Sequence, residues 1–115
     1  MKKSIVLLTR KPGTSLEQFK HYYESTHAPG AIERIPALGR ADYRRNFIES
    51  PQPDTLPRPD FDVITEITFA DDADFEAFRR SLEDPAVRAW IAEDEARFSD
   101  PGLTRSYIVT EHKST

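Results

Sequence analysis

Apolar positions along this chain change their spacing several times, and each change marks an element. Leu16, Phe19, Tyr23 and His27 step by three, four and four, which at about 100° per residue puts them on one face of a helix. Upstream, Lys11-Pro12-Gly13 is a turn signal. Ser15 with Gln18 forms a capping-box pattern, with Thr14 and Glu17 as the alternative register. Downstream, Pro29 disfavours the α conformation at Ala28, so the helix is predicted to stop near Thr26 or His27. His27 then points where Leu16 and Phe19 point, and His21 points to solvent.

The other segments follow the same logic. Lys3 to Arg10 is β-branched and apolar in both phases, as expected of a central strand. Gly30 to Ile35 reads as a short turn leading to Pro36 and Gly39. In Gly39 to Ile48, Ala41, Tyr43, Arg45 and Phe47 alternate against Asp42, Arg44, Asn46 and Ile48, a strand period. Phe61 to Phe69 alternates too, with Phe61, Val63, Thr65, Ile67 and Phe69 on one face. Asp71 to Leu82 is predicted helical with Phe75, Phe78 and Leu82 inward, and Asp84-Pro85 is an N-cap and first-turn proline for a second helix reaching Phe98. Thr104 to Glu111 closes as a strand.

The order β-α-β-β-α-β is the ferredoxin-like pattern, an α+β fold with one four-stranded antiparallel sheet and both helices on one side. Val6, Leu8, Ile64 and Ile108 are expected on the other side in addition to the inward set. So large an apolar face is unusual on a soluble monomer, and the expected partner is a second copy packed sheet to sheet. Between the second and third strands, Glu49 to Asp60 holds Pro51, Pro53, Pro57 and Pro59. It is long for a connection in a compact domain; it reads as an extended hairpin connection or as a lid or dimer clasp over a cleft.

Composition narrows the functional classes. The chain's 115 residues make one domain, 1–115. A formal charge of −4 with interspersed signs and no basic stripe argues against a nucleic-acid partner. There is no cysteine, which removes disulfides and thiol nucleophiles and fits a reducing, cytoplasmic location. Ile5 to Leu8 is too short for a signal sequence and no segment approaches membrane-spanning length. His21, His27 and His112 lack ligand spacing, Asp71-Asp72-Ala73-Asp74 fits no calcium loop, and neither a phosphate loop nor a nucleophile elbow is present. No metal or cofactor is expected.

The candidate chemistry is one histidine and one carboxylate. Val87, Ile91, Asp94 and Phe98 step by four, three and four, so Asp94 sits within an apolar stripe, where a carboxylate needs a partner. Both helices cover the same side of the sheet, so a His27–Asp94 contact would satisfy the carboxylate and fix the imidazole tautomer. His27 is then the candidate general acid/base and Asp94 its orienting group. The carboxylate and the helix C-terminus favour the protonated ring; apolar walls oppose it. The plainer alternatives are a satisfied core histidine, and an Asp94 paired with Arg40, Arg44, Arg45 or Arg97. Tyr22, Tyr23, Phe47, Trp90 and Phe98 read as core aromatics or substrate walls. Asn46 is a candidate donor to a substrate carbonyl or an ordinary polar strand end, and Glu66 a cavity group or a strand bridge.

Several of these residues also carry a resemblance. Arg10-Lys11-Pro12-Gly13, Phe19 with Tyr22 or Tyr23, His27-Ala28-Pro29, Asn46, Glu66-Ile67-Thr68-Phe69 and Asp94-Glu95-Ala96-Arg97-Phe98-Ser99-Asp100 occur in the order seen in the EthD family, which the chain resembles over nearly its whole length. The resemblance implies a dimeric α+β barrel. It also implies cofactor-free dehydratase, decarboxylase or isomerase chemistry on aromatic, polyketide-like or lactone compounds, or an accessory role in a degradation pathway. The candidate catalytic residues are His27 and Asp94, and the candidate substrate contacts are Tyr23, Asn46, Glu66, Trp90 and Phe98. The proline-rich loop departs from the family's compact pattern. A non-catalytic small-molecule binder, and a haem-binding or cofactor-free monooxygenase of the same fold, are the alternative functions.

Overall fold

The computed structural model describes residues 2–115. Its order is β1 (Lys2–Leu8), α1 (Leu16–Tyr22), a π-helical turn (Tyr23–His27), α2 (Ala28–Arg34), α3 (Pro36–Arg40), β2 (Asp42–Phe47), β3 (Val63–Thr68), α4 (Asp72–Glu83), α5 (Pro85–Phe98), a 3₁₀ turn (Pro101–Leu103) and β4 (Arg105–Thr110). The four strands form one antiparallel sheet in the order β2-β3-β1-β4, the ferredoxin-like arrangement. No helix among the described residues is long and apolar enough to cross a membrane.

Local chemistry sets the helix starts. The Ser15 side chain accepts from the Gln18 backbone while the Gln18 side chain accepts from the Ser15 N–H, a complete capping box. Asp71 caps α4 and Asp84 caps α5, with Pro85 in the first turn. Pro29 behaves differently from the expected stop. The chain widens into the π turn, where the Ala28 N–H donates to Tyr23 O, and then continues as α2 with Pro29 in its first turn. A proline has no N–H and its ring crowds the carbonyl four residues back. A single π turn relieves that conflict without ending the helix, and such turns recur at functional sites. Gly30 to Arg34 is therefore helix rather than turn, and Ile35 is the extended break before α3.

Sheet register assigns the faces. Leu8 pairs with Val63 and Val63 with Phe47, so Leu8, Val6 and Ser4 share the helix-covered side with Val63, Thr65 and Ile67 and with Tyr43, Arg45 and Phe47. Val6 and Leu8 are thus not on the open face. Ile108 pairs with Ser4 and so also lies on the helix side, but beyond the helices' cover, at 54% exposure. The open face carries Ile5, Leu7, Ile64, Tyr107 and Val109, flanked by Lys3, which bridges Glu66 (3.1 Å) and Glu111 (2.7 Å), and by the Arg44–Asp42 pair. The core beneath the helices has two parts: Ala31, Ile35, Leu38, Ile67, Phe69, Phe75 and Phe78 under α4, and Leu8, Phe19, Tyr23, Ala28, Val63 and Phe98 under α1. The proline-rich connection is held at its base by Arg58, which donates to Ile48 O (2.8 Å) and Glu49 O (3.1 Å).

Candidate active site

The π turn and α5 meet at His27. Its Nδ1 lies 2.7 Å from Asp94 Oδ2, and the Tyr22 hydroxyl donates to Asp94 Oδ1 at 2.8 Å. Both His27 and Asp94 are 5% exposed. Trp90 stacks on the imidazole at 5.4 Å with an 8° interplanar angle, and Phe98 and Tyr23 close around it at 4.9 and 5.5 Å. Arg40, Arg44 and Arg45 pair with Asp74, Asp42 and Glu24 instead. A carboxylate can only accept, so Nδ1 carries the hydrogen in this pair and Nε2 of the neutral ring is left as an acceptor. Burial lowers the His27 proton affinity more than the Asp94 carboxylate raises it, so its pKa falls below the ordinary 6.5. The neutral, Nδ1–H imidazole is the form present at neutral pH.

The free edge of the ring borders a cavity of about 210 Å³ between helices and sheet. Its apolar walls include Val6, Leu8, Ile35, Leu38, Ile67 and Ile91. Its polar groups are few. Tyr23 and Thr65 hydroxyls lie 2.7 Å apart, and the Tyr43 hydroxyl donates to that of Tyr23 at 3.4 Å. The Tyr23 hydroxyl is nearly buried and desolvation holds its pKa well above 10. Glu95 places Oε2 3.9 Å from His27 Nε2. Burial first, and the neighbouring Asp94 charge second, raise its pKa from 4.5 to about 7. Among the described residues no group of three histidine or carboxylate side chains is placed to hold a metal ion. The cavity is on the scale of one ring system, far short of a tetrapyrrole, so the fit to a haem is poor.

Of the residues singled out from the sequence, His27, Asp94 and Tyr23 come together here. Trp90 and Phe98 touch the imidazole but do not line the cavity; they back the ring rather than wall a substrate. Asn46 and Glu66 do not line this cavity, and for them the alternatives of an ordinary polar strand end and a strand bridge hold. They stand on the open face, where Asn46 Nδ2 donates to Ile64 O (2.9 Å) and Glu66 Oε2 (3.3 Å), and Glu66 receives Lys3. Strand alternation is the reason: their neighbours Arg45, Phe47, Thr65 and Ile67 take the inward side. No residue of Glu49 to Asp60 lines the cavity, so the lid reading of that loop has no support there. Sequence reasoning missed Glu95, although it follows Ile91 by four residues and so falls beside the same apolar stripe. It also missed Tyr43 and Thr65, whose inward phase was already legible.

Residues 11–102 match the EthD domain profile, four-fifths of the chain. The chain belongs to the EthD family. No curated protein matches it by sequence. Similar solved structures include an ethyl tert-butyl ether d (EthD) family protein from Bacillus halodurans, with 23% identity, 97% of this chain and 100% of that chain covered, and a TM-score of 0.65. A hydroxynitrile lyase from Passiflora edulis shares 18% identity over 98% of this chain and 96% of its own, with a TM-score of 0.58. A dimeric ferredoxin-like protein of unknown function from Thermobifida fusca shares 12% identity over 96% and 90%, with a TM-score of 0.54. At these identities the likenesses establish the shared fold.

Gly30 explains how this EthD domain brings Trp90 onto His27. A Cβ there would lie 2.6 and 2.8 Å from two Trp90 ring atoms, so only a glycine lets the indole reach the imidazole, with the Arg34 guanidinium over the indole at 4.2 Å. Gly30→Ala is expected to destabilise the fold by about 1–3 kcal/mol through overpacking. It should also move the His27 ring resonances, which NMR spectra of the two chains would show.

Proposed function

We propose that this EthD protein is a cofactor-independent acid/base enzyme of the lyase or isomerase type, acting on a small hydrophobic or aromatic compound. One observation carries the reading: His27 has Nδ1 committed to Asp94 and Nε2 uncommitted at the edge of an apolar cavity. In that arrangement His27 Nε2 takes a proton from an acidic C–H or O–H of the substrate and later returns it. Asp94, itself held by Tyr22, fixes ring and tautomer and stabilises the imidazolium formed in transfer. The depressed pKa keeps the base unprotonated at neutral pH. The cavity of about 210 Å³ falls below the roughly 300–1,000 Å³ of sites for drug-sized ligands, which favours one-ring compounds. The hydroxynitrile lyase of the same fold supports the lyase side of this reading.

The test is a panel of one-ring ketones, β-hydroxy ketones and cyanohydrins incubated with the chain in D₂O and followed by NMR. Enzyme-dependent deuterium uptake or bond cleavage is the expected result. Saturable binding of panel members with neither would replace the enzyme with a small-molecule-binding protein.

The same reading includes a homodimer through the open sheet face. Its apolar centre of Ile5, Leu7, Ile64, Tyr107 and Val109 supports this, with Tyr107 52% exposed, as does the dimeric protein of the same fold. Light scattering at micromolar concentration is expected to give twice the 13.2 kDa chain mass. Ile64→Glu, which puts a charge into that centre, is expected to give the single-chain mass. A wild-type monomer would sink the interface.

A further inference from the structure

One end of the cavity holds two polar groups without hydrogen-bond partners. Thr104 Oγ1 is the one buried side-chain polar atom, among the described residues, with no partner. The Glu95 carboxylate makes no side-chain hydrogen bond there either, and His27 Nε2 lies 3.9 Å from its Oε2. Thr104 and Glu95 both line the cavity, and both line an adjoining groove formed with Leu82, Arg88, Ile91 and Pro101. They therefore stand where the groove meets the cavity. Buried hydroxyls are nearly always paired, and Thr104 lines the cavity, so a rotation of its side chain toward that space lets a ligand atom supply the missing partner.

We propose that the groove admits an uncharged, one-ring compound whose hydroxyl or carbonyl oxygen hydrogen-bonds to Thr104 Oγ1, with Glu95 as a second acid/base residue opposite His27. The proposal rests on the acid/base reading of His27. For a ketone, His27 Nε2 takes the proton of the carbon next to the carbonyl. The C–H electron pair becomes the new C=C bond, the carbonyl π pair moves to oxygen, and that oxygen takes the Glu95 carboxyl proton. Running the two transfers back, at the same or a neighbouring carbon, restores both residues, so no other reactant is needed. The groups facing Glu95 agree with this division. Asp94 adjoins it on α5, His27 comes from the π turn, and Tyr23 and Tyr43 face it as uncharged hydroxyls. Arg88 lines the groove without pairing to Glu95. Below about pH 7 Glu95 holds the proton it must give, while the neutral His27 remains the acceptor. An anionic ligand is disfavoured beside Asp94 and an ionising Glu95.

The probes are acetophenone and benzoate, titrated at pH 6 and 8 into the wild-type, Thr104→Val and Glu95→Gln chains with NMR detection. Acetophenone is expected to bind the wild-type chain and to lose about tenfold in affinity with Thr104→Val, the worth of one hydrogen bond. Benzoate is expected to bind more weakly than acetophenone, and to improve at pH 8 in Glu95→Gln. Equal acetophenone affinity in wild-type and Thr104→Val chains would overturn the anchor. In the exchange assay Glu95→Gln is expected to lower kcat with little change in KM and to remove the alkaline fall of the kcat–pH profile. An unchanged profile would overturn the second acid/base role while leaving His27 in place. Thr104-dependent binding with no exchange in any chain would overturn the catalytic role of Glu95 and the acid/base reading together, and leave the anchor standing.

Discussion

His27→Gln is expected to lower kcat by about 10²–10⁴-fold, the usual contribution of a positioned general acid/base, on whichever panel compound shows turnover. KM should change little, because the glutamine preserves most of the ring's packing against Trp90 and Phe98. Asp94→Asn is expected to lose less, about 5–30-fold, since a hydrogen bond to a charged partner exceeds a neutral one by ~1–2 kcal/mol. The carboxylate raises the pKa of His27 against the stronger effect of burial. Removing its charge lowers that pKa further, so the acid limb of kcat/KM should move to lower pH in Asp94→Asn. A merely structural Asp94 would leave the limb where it is. The double variant should be no worse than His27→Gln alone, because the two residues act as a unit. Full turnover by His27→Gln would remove the acid/base assignment.

What could be read from the sequence was whatever depends on periodicity and caps. The stripe Leu16, Phe19, Tyr23, His27 and the stripe Val87, Ile91, Asp94, Phe98 placed the histidine and its carboxylate on facing sides of two helices that cover one sheet. Their 2.7 Å contact is what those two stripes imply. The misreadings have local causes. Pro29 suggested a stop because proline rules describe an ordinary α turn, whereas the chain widened to an i−5 bond at Ala28. Val6 and Leu8 were placed outward because a strand apolar in both phases does not say which phase faces the helices; only pairing with Val63 and Thr65 settles it. For Asn46 and Glu66 the plainer alternatives, a polar strand end and a strand bridge, hold for the reverse reason. Their phase was legible, and it pointed away from the helices. Glu95 was invisible as chemistry because nothing in its flanking residues distinguishes it from a solvated helix glutamate. Much of the burial around it comes from β2, β3 and the π turn, none of them near it in sequence.

Glu95→Gln is expected to raise the stability of the chain at pH 8 by up to about 3 kcal/mol and to change it little at pH 4.5. The folded carboxyl has its pKa raised to about 7 from 4.5, and each pH unit of such a shift is worth ~1.4 kcal/mol. The side chain is 19% exposed, so water screens part of this and the figure is an upper bound. Because the folded chain keeps a proton that the unfolded chain releases, the stability Glu95 contributes is full below about 4.5 and is lost as pH rises to about 7. His27 works the other way. Its folded pKa lies below 6.5, so its contribution is present above 6.5 and lost as pH falls through the lower folded value. Urea midpoints between pH 4.5 and 9 would show the difference, with the slope m unchanged. The wild-type profile should decline toward pH 8, and the Glu95→Gln profile should not. Parallel profiles would mean that Glu95 ionises in the fold as it does in water. A gain in stability coupled to a loss of exchange activity is the signature of a strained functional group, since a glutamate with only a structural role would have no reason to be held where its charge is unwelcome.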